Sequence, residues 1–281
     1  MNLSLDDIRD DIHRAVADAL QEDIRSGDIT AQLIPATKTN TATIITREDC
    51  VFCGAAWLDE CFSQLGGLDE IIWHVSDGDY VKADTILVTL KGNARTLLTG
   101  ERVALNFMQL LSGVATKASA YKDALGKSTI KILDTRKTIP GLRTAQKYAV
   151  TQGGCHNHRI GLYDAFLIKE NHIVACGGIT QAIQKAREIA PGKTVEVETE
   201  TLSELNEAIA AGADITMLDN FSKTMLDQAM QLERKNTKFE VSGNLNMDAL
   251  KALSDYTIDY CSFGGLTKHV QAVDLSMRIA D

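Results

Sequence analysis

Between residues 130 and 262, short apolar, β-prone runs alternate with helical stretches, and this alternation limits what the chain can fold into. The runs fall at 130–133, 165–168, 194–197, 215–218, 239–242 and 258–262. Helical patterns occupy about 142–151, 179–190, 202–211, 222–234 and 246–254. A helix between successive strands returns the chain to the same end of a sheet, which permits parallel pairing with right-handed crossovers. About six such units predict an α/β fold, an incomplete parallel α/β barrel. An open doubly wound sheet is the alternative. No Gly-x-Gly-x-x-Gly follows the first strand, which weakens the dinucleotide-binding version of that fold.

The front of the chain reads differently. Leu5, Ile8, Ile12, Val16 and Leu20 share one helical face, and Ser4 with Asp7 resembles a capping box at its start. Strand-like pieces follow at 43–46, 71–75 and 86–90, with a turn at Asp77-Gly78-Asp79. From 94 to 125 the pattern is helical, with an interruption expected at Gly113. These elements predict an N-terminal mixed α+β sandwich domain. In the tail, Val273, Leu275, Met277 and Ile279 alternate with Asp274, Ser276 and Arg278, a strand signal. The expected domains are therefore 1–112, joined by a returning strand at 270–281, and a catalytic barrel at 113–269.

Charge and cysteine usage narrow the function classes. A net charge of −9 over 281 residues disfavours a nucleic-acid partner, which usually requires a basic face. No apolar run reaches membrane-span length, and the acidic start lacks a signal core, so a cytoplasmic protein without a membrane partner is expected. The six cysteines then read as reduced thiols. Cys50-x-x-Cys53 lacks a second ligand pair and reads as a buried structural pair rather than a zinc or redox site. Cys155-His156-Asn157-His158 also has metal-like spacing.

The strand ends carry the chemistry. They run into Asp134-Thr135-Arg136-Lys137-Thr138, Lys169-Glu170-Asn171-His172, Glu196-Val197-Glu198, Asp219-Asn220, Ser242-Gly243-Asn244 and Ser262-Phe263-Gly264-Gly265. In a parallel barrel all these ends open on one face, where active sites form. Arg136, Lys137, Arg143, Lys147, Arg159 and Lys169 form an electropositive segment interrupted by Asp164 alone, which suits a small polyanion. Lys147 and Arg143, lying within a helix, are also explained as a solvated face. Glu198 and Asp219 could hold Mg²⁺, accept from ribose hydroxyls or stabilise a developing cation. Gly243, Gly264 and Gly265 would admit backbone N–H groups to a phosphate.

Several longer motifs resemble the quinolinate phosphoribosyltransferase family. They are Gly100-Glu101-Arg102-Val103-Ala104-Leu105-Asn106, Leu111-Ser112-Gly113-Val114-Ala115-Thr116, Asp134 to Thr138 with Pro140-Gly141-Leu142-Arg143, Asn157-His158-Arg159, Gly161-Leu162-Tyr163-Asp164, Leu167 to His172, Glu196-Val197-Glu198 and Met217-Leu218-Asp219-Asn220. Near the N-terminus Glu22-Asp23 and Gly27-Asp28-Ile29-Thr30 match as well, so the likeness spans nearly the whole chain. The resemblance implies a transferase that joins quinolinate to phosphoribosyl pyrophosphate with decarboxylation, using Mg²⁺. It implies a homodimer in which Arg102 comes from the neighbouring subunit. By the same resemblance Arg102, Arg136, His158 and Arg159 surround the quinolinate carboxylates. Lys137 and Lys169 serve phosphates and substrate, Glu198 and Asp219 serve the ribose and its metal, and Ser242-Gly243-Asn244 with Ser262, Gly264 and Gly265 hold the 5′-phosphate. Lys137, Lys169, Glu198 and Asp219 are the expected catalytic residues. The chain departs from the family pattern at Asn244, where Ser-Gly-Gly is usual, and at Cys155, in the usual third glycine position. A nicotinate-specific relative, a silent pyridine-binding protein and a phosphate-handling barrel aldolase are the competing readings.

Overall fold

A computed structural model of the chain describes residues 2–243 and 247–279. In chain order it runs α1 (Arg9–Ile24), β1 (Thr39–Thr46), β2 (Cys50–Val51), α2 (Ala55–Gln64), β3 (Glu70–Trp73), β4 (Tyr80–Val81), β5 (Ile86–Asn93) and α3 (Ala94–Leu125). Then come β6 (Lys131–Leu133), α4 (Arg143–Gln152), β7 (Phe166–Ile168), α5 (Glu170–Cys176), α6 (Ile179–Ile189), β8 (Val195–Thr199) and α7 (Leu202–Ala210). The chain ends with β9 (Ile215–Asp219), α8 (Lys223–Ala229), β10 (Lys238–Ser242), α9 (Met247–Leu253), β11 (Tyr260–Ser262), α10 (Gly265–Lys268) and β12 (Leu275–Ile279). Contacts divide it into two units: one holds Tyr121–Arg136 and His156–Gly264, and the other holds the remaining segments, including Lys137–Cys155.

The first unit is built on a six-stranded sheet in the order β6-β11-β10-β9-β8-β7. Every pairing in it is parallel. In sequence order these strands would close a ring, and β6 with β7 is the pair missing among the described residues, so the barrel is incomplete. Side chains alternate across each strand. Val195 and Val197 of β8 are buried outward in a cluster with Ile179, Ala182, Ile183 and Ala186 of α6 and Ala208 of α7. Burying each such Val or Ile contributes roughly 1.5–3 kcal/mol. The same alternation turns Glu196 and Glu198 to the opposite, inner face. A reciprocal cap fixes where α7 begins: Thr201 Oγ1 accepts from the Glu204 N–H at 3.2 Å, and the Glu204 carboxylate accepts from the Thr201 N–H at 3.0 Å. The helix expected over 222–234 stops earlier, at Ala229. Beyond it Gln231 and Leu232 bond three residues back, and Lys235 turns left-handed at φ 52°, which redirects the chain into β10.

The second unit carries the antiparallel sheet β12-β1-β5-β3 and the small β2–β4 pair. The C-terminal β12 pairs with β1 in the register Ile44↔Met277. Beside these, α1 packs on α2, whose Trp57, Leu58, Cys61 and Phe62 are buried. The interruption expected at Gly113 is absent, because α3 runs unbroken from Ala94 to Leu125. Gly113 serves close packing instead: a Cβ there would lie 2.1 Å from the Gln271 carbonyl oxygen. Cys50, Cys53, Cys61, Cys155 and Cys261 are buried and Cys176 is exposed, all outside any disulfide. Burial pushes the Cys61 thiol up to about 12 and Cys53 well above its ordinary value, so neither offers a ready thiolate. Among the described residues no helix is long and apolar enough to cross a membrane.

Candidate active site

The inner ends of the parallel strands define the site in the first unit. Directly after β6, Asp134 is fully buried. Its Oδ1 accepts from the His158 N–H at 2.9 Å and its Oδ2 from Asn157 Nδ2 at 2.7 Å. The 156–158 segment lies alongside β6, with the His156 N–H donating to the Ile132 carbonyl at 2.8 Å and the Asp134 N–H to the His156 carbonyl at 3.0 Å. One acid therefore fastens the loop bearing His158 and Arg159 to the segment after β6 that leads to Arg136. A second acid shapes the far side of that loop, where Asp164 accepts from the Ile160 and Gly161 N–H groups at 2.6 and 2.9 Å.

Arg136 and Arg159 are near enough to interact. Burial first, and then the Arg136 charge, hold the Arg159 guanidinium below its ordinary value. The Nε of Arg136 is buried without an acceptor. Two guanidinium groups that feel each other's charge, one with an orphaned donor, suit a bound carboxylate or phosphate.

Across the sheet, Lys169 precedes α5, and its Nζ pairs with Glu198 Oε2. The Lys169 backbone is itself held, because its N–H donates to His172 Nδ1 at 3.0 Å. Asp219 ends β9 opposite Ser242 at the end of β10. Its Oδ2 accepts from Asn220 Nδ2 at 2.8 Å, while the Asn220 N–H donates to the Ser242 carbonyl at 3.0 Å. Asn220 holds a left-handed φ of 54°, which asparagine tolerates better than most residues. Gly243 has φ 134°, and a Cβ on it would meet Asn220 Oδ1 at 2.6 Å, so glycine is required twice over. Ser262 ends β11 and is buried, and the Phe263 N–H donates to the Leu133 carbonyl at 2.9 Å, followed by Gly264. Asn244 lies outside the described residues.

Below these groups lies a buried acidic pair: Glu196, which the sequence places in a strand-end motif without a role, and Glu240, which it does not single out. Glu196 of β8 is 3% exposed and Glu240 of β10 is 0%. Glu196 Oε2 sits 2.9 Å, and Glu240 Oε2 3.6 Å, from His158 Nε2. Burial pushes both carboxyls up, each to about 8. A cavity of about 290 Å³ borders them, lined also by Lys131, His156, Thr194 and Tyr260. The Glu-x-Glu alternation of β8 signals two acids on one face. Nothing in the β10 sequence separates Glu240 from a solvent-facing acid.

The remaining candidates belong to the second unit. Arg102 lies on α3 with its side chain 56% exposed. It lines a cavity of about 420 Å³ with Asp18, Glu22, Asp23 and Asn106. The Lys137 carbonyl accepts from Thr267 Oγ1 at 2.8 Å. Gln146 Nε2 in turn donates to the Thr267 carbonyl at 2.8 Å, and Gln146 Oε1 accepts from the Ile139 N–H at 2.8 Å. Buried Gln146 thus fixes both the stretch after Lys137 and the short helix α10 that Gly265 begins.

Comparison with known proteins gives a consistent set of likenesses. Residues 28–112 match the model of the quinolinate phosphoribosyl transferase N-terminal domain, and residues 114–278 match that of the C-terminal domain. A probable nicotinate-nucleotide pyrophosphorylase (carboxylating) of Bacillus subtilis is 44% identical over 259 residues, covering 92% of this chain and 90% of that protein. The nicotinate-nucleotide pyrophosphorylase (carboxylating) of Mycobacterium leprae is 38% identical, covering 98% of each chain. The solved nicotinate-nucleotide pyrophosphorylase of Francisella tularensis is 48% identical, covers 96% of each chain and superposes with a TM-score of 0.93.

Proposed function

The chain belongs to the quinolinate phosphoribosyltransferase family, and we propose that it transfers the phosphoribosyl group of phosphoribosyl pyrophosphate to quinolinate, releasing pyrophosphate and CO₂ and forming nicotinate mononucleotide for NAD biosynthesis. The observation that carries this reading is the Arg136–Arg159 pair, with an orphaned buried donor on Arg136. A pyridine dicarboxylate supplies the acceptors such a pair lacks.

In this reading Arg136, His158 and Arg159 grip the quinolinate carboxylates, and Arg102, contributed by a second copy in a homodimer, completes the grip. Lys137 and Lys169 attract the phosphates and the substrate. Glu198 and Asp219 serve the ribose hydroxyls, while Ser242, Gly243, Asn244, Ser262, Gly264 and Gly265 receive the 5′-phosphate. Oriented by its carboxylates, the pyridine nitrogen attacks the anomeric carbon. The C–N bond forms as the C–O bond to pyrophosphate breaks, and pyrophosphate leaves with the electron pair. Positive charge builds on the ribose during this displacement, and the carboxylates of Glu198 and Asp219 stabilise it, the problem glycosidases also solve. The cationic ring nitrogen then accepts electron density as the adjacent carboxylate departs as CO₂, and a proton takes its place. No side chain becomes covalently attached.

Glu198 and Asp219 supply hard oxygen donors from adjacent strands, a donor set that fits Mg²⁺. They would hold the ion, directly or through water, and when bound it would neutralise charge on the pyrophosphate. We take the enzyme to work in the cytoplasm, and its acidic composition disfavours a nucleic-acid partner.

A turnover assay with phosphoribosyl pyrophosphate and Mg²⁺ tests the reading by comparing quinolinate with nicotinate. Nucleotide and CO₂ from quinolinate, with little product from nicotinate, are expected. Product from nicotinate alone would move the chain to a non-carboxylating activity, and no product from either would favour a binding protein.

A further inference from the structure

We infer that Asn220 is a positioning residue whose carboxamide joins the acid assigned to the ribose to the loop assigned to the 5′-phosphate, orienting Asp219 and seating Gly243 at once. The inference rests on those two assignments in the proposed reaction.

The contacts give the carboxamide one orientation. Asn220 Nδ2 donates to Asp219 Oδ2 at 2.8 Å. A carboxylate only accepts hydrogen bonds, so the amide nitrogen faces it and the amide oxygen faces away. That oxygen is the atom a Cβ on Gly243 would meet at 2.6 Å. The backbone N–H of Asn220 donates to the Ser242 carbonyl at 3.0 Å. One residue therefore engages the end of β9 with its amide nitrogen and the end of β10 with its amide oxygen and its backbone.

The left-handed backbone makes this possible. Along a strand, neighbouring side chains point to opposite faces. Asn220 follows the last residue of β9 at φ 54°, which breaks the alternation and brings its side chain back to its neighbour's carboxylate. Asparagine enters that conformation more readily than most residues with a side chain. A carboxylate turns easily about its terminal torsion, which is broad and roughly two-fold, so holding Oδ2 selects how the group faces the site. With Oδ2 engaged, Oδ1 is the oxygen assigned to a ribose hydroxyl. Hydrogen-bonded carboxylates of metal sites are oriented by outer partners in the same manner.

Two variants separate the carboxamide from the backbone turn. Asn220→Gly keeps the left-handed conformation and removes the side chain. Asn220→Asp keeps the shape and tolerates the backbone, but sets a second carboxylate against Asp219. Steady-state kinetics of the full-length enzyme should show kcat/KM for phosphoribosyl pyrophosphate falling by about tenfold or more in Asn220→Gly, and further in Asn220→Asp, with the quinolinate KM nearly unchanged. A residue needed only for the turn would leave Asn220→Asp close to wild type. That result, or equal losses toward both substrates, would overturn the inference. A crystal structure of Asn220→Gly should show the Asp219 carboxylate rotated from its place in the wild-type protein, and an unmoved carboxylate would count decisively against a positioning role. If Asn220→Gly does not fold, the kinetics and structure of Asn220→Asp carry the same test, because aspartate matches the amide in size. Wild-type protein with no turnover of quinolinate would sink the substrate reading instead, and the variant structures would still decide what holds Asp219.

Discussion

At the scale of single residues, the unsatisfied Nε of Arg136 makes a sharp case. A buried cationic donor without an acceptor is costly, and in the proposed reading a substrate carboxylate supplies its partner. Arg136→Ala should therefore weaken quinolinate binding by about 2–5 kcal/mol, the usual loss for truncating one side of a buried charged pair. The melting temperature without ligand should hardly move. Calorimetric titration alongside thermal denaturation checks both halves, and an unchanged quinolinate affinity would remove Arg136 from the site. Glu240 makes a second case, with a sign that can be worked out. Burial raises its folded-state value to about 8 from an ordinary 4.5, so the folded protein holds a proton that the unfolded chain releases. Stability should then fall as pH rises from about 4.5 to 8, by a few kcal/mol at most. Glu240→Gln should flatten that decline in denaturant titrations, and parallel profiles for the two proteins would contradict it. Arg136, Lys169, Glu198 and Asp219 were legible in the sequence because each follows or ends an apolar run. Asp134 and Glu240 were not assigned, since an acid beside or within a short strand reads equally well as a boundary or a wet face.

Among the elements, α3 shows how a helix serves a packing need its own sequence obscures. Gly113 lowers helix propensity, yet the backbone of Gln271 lies where a side chain would stand. Gly113→Ala should improve the isolated helix by about 1 kcal/mol and still destabilise the protein, because a carbonyl 2.1 Å from the new Cβ must be pushed away. A raised melting temperature would refute this account of the glycine. The parallel strands were legible as short β-prone runs between helical stretches, although Glu196 and Glu198 interrupt β8 and Glu240 interrupts β10. By contrast, α5 has no buried residue, so no apolar stripe marks it in the sequence. The early end of α8 was equally hidden, since Leu232 continues its apolar spacing after the backbone has left the helix.

For the whole molecule, the question is how a chain of net charge −9 gathers two anionic substrates. Distant repulsion is screened within about 8–10 Å at physiological salt, so in the proposed site the local set of Arg136, Arg159 and Lys169 would govern the approach. In the proposed homodimer Arg102 would add a further cation from the second copy, and that arrangement has a consequence for mixed assemblies. Arg102→Ala and Lys169→Ala should each be nearly inactive alone. Once subunits exchange, a mixed dimer would contain one site with Lys169 from the first variant and Arg102 from the second, and one site lacking both. Equal mixing makes about half the dimers mixed, so activity should recover to about a quarter of wild type. Recovery should follow the kinetics of subunit exchange, and covalently linked homodimers of either variant should show none. If the mixture stays inactive after exchange has been verified by mass, Arg102 serves its own chain's site or none, and the cation set that draws in quinolinate must be complete within a single copy.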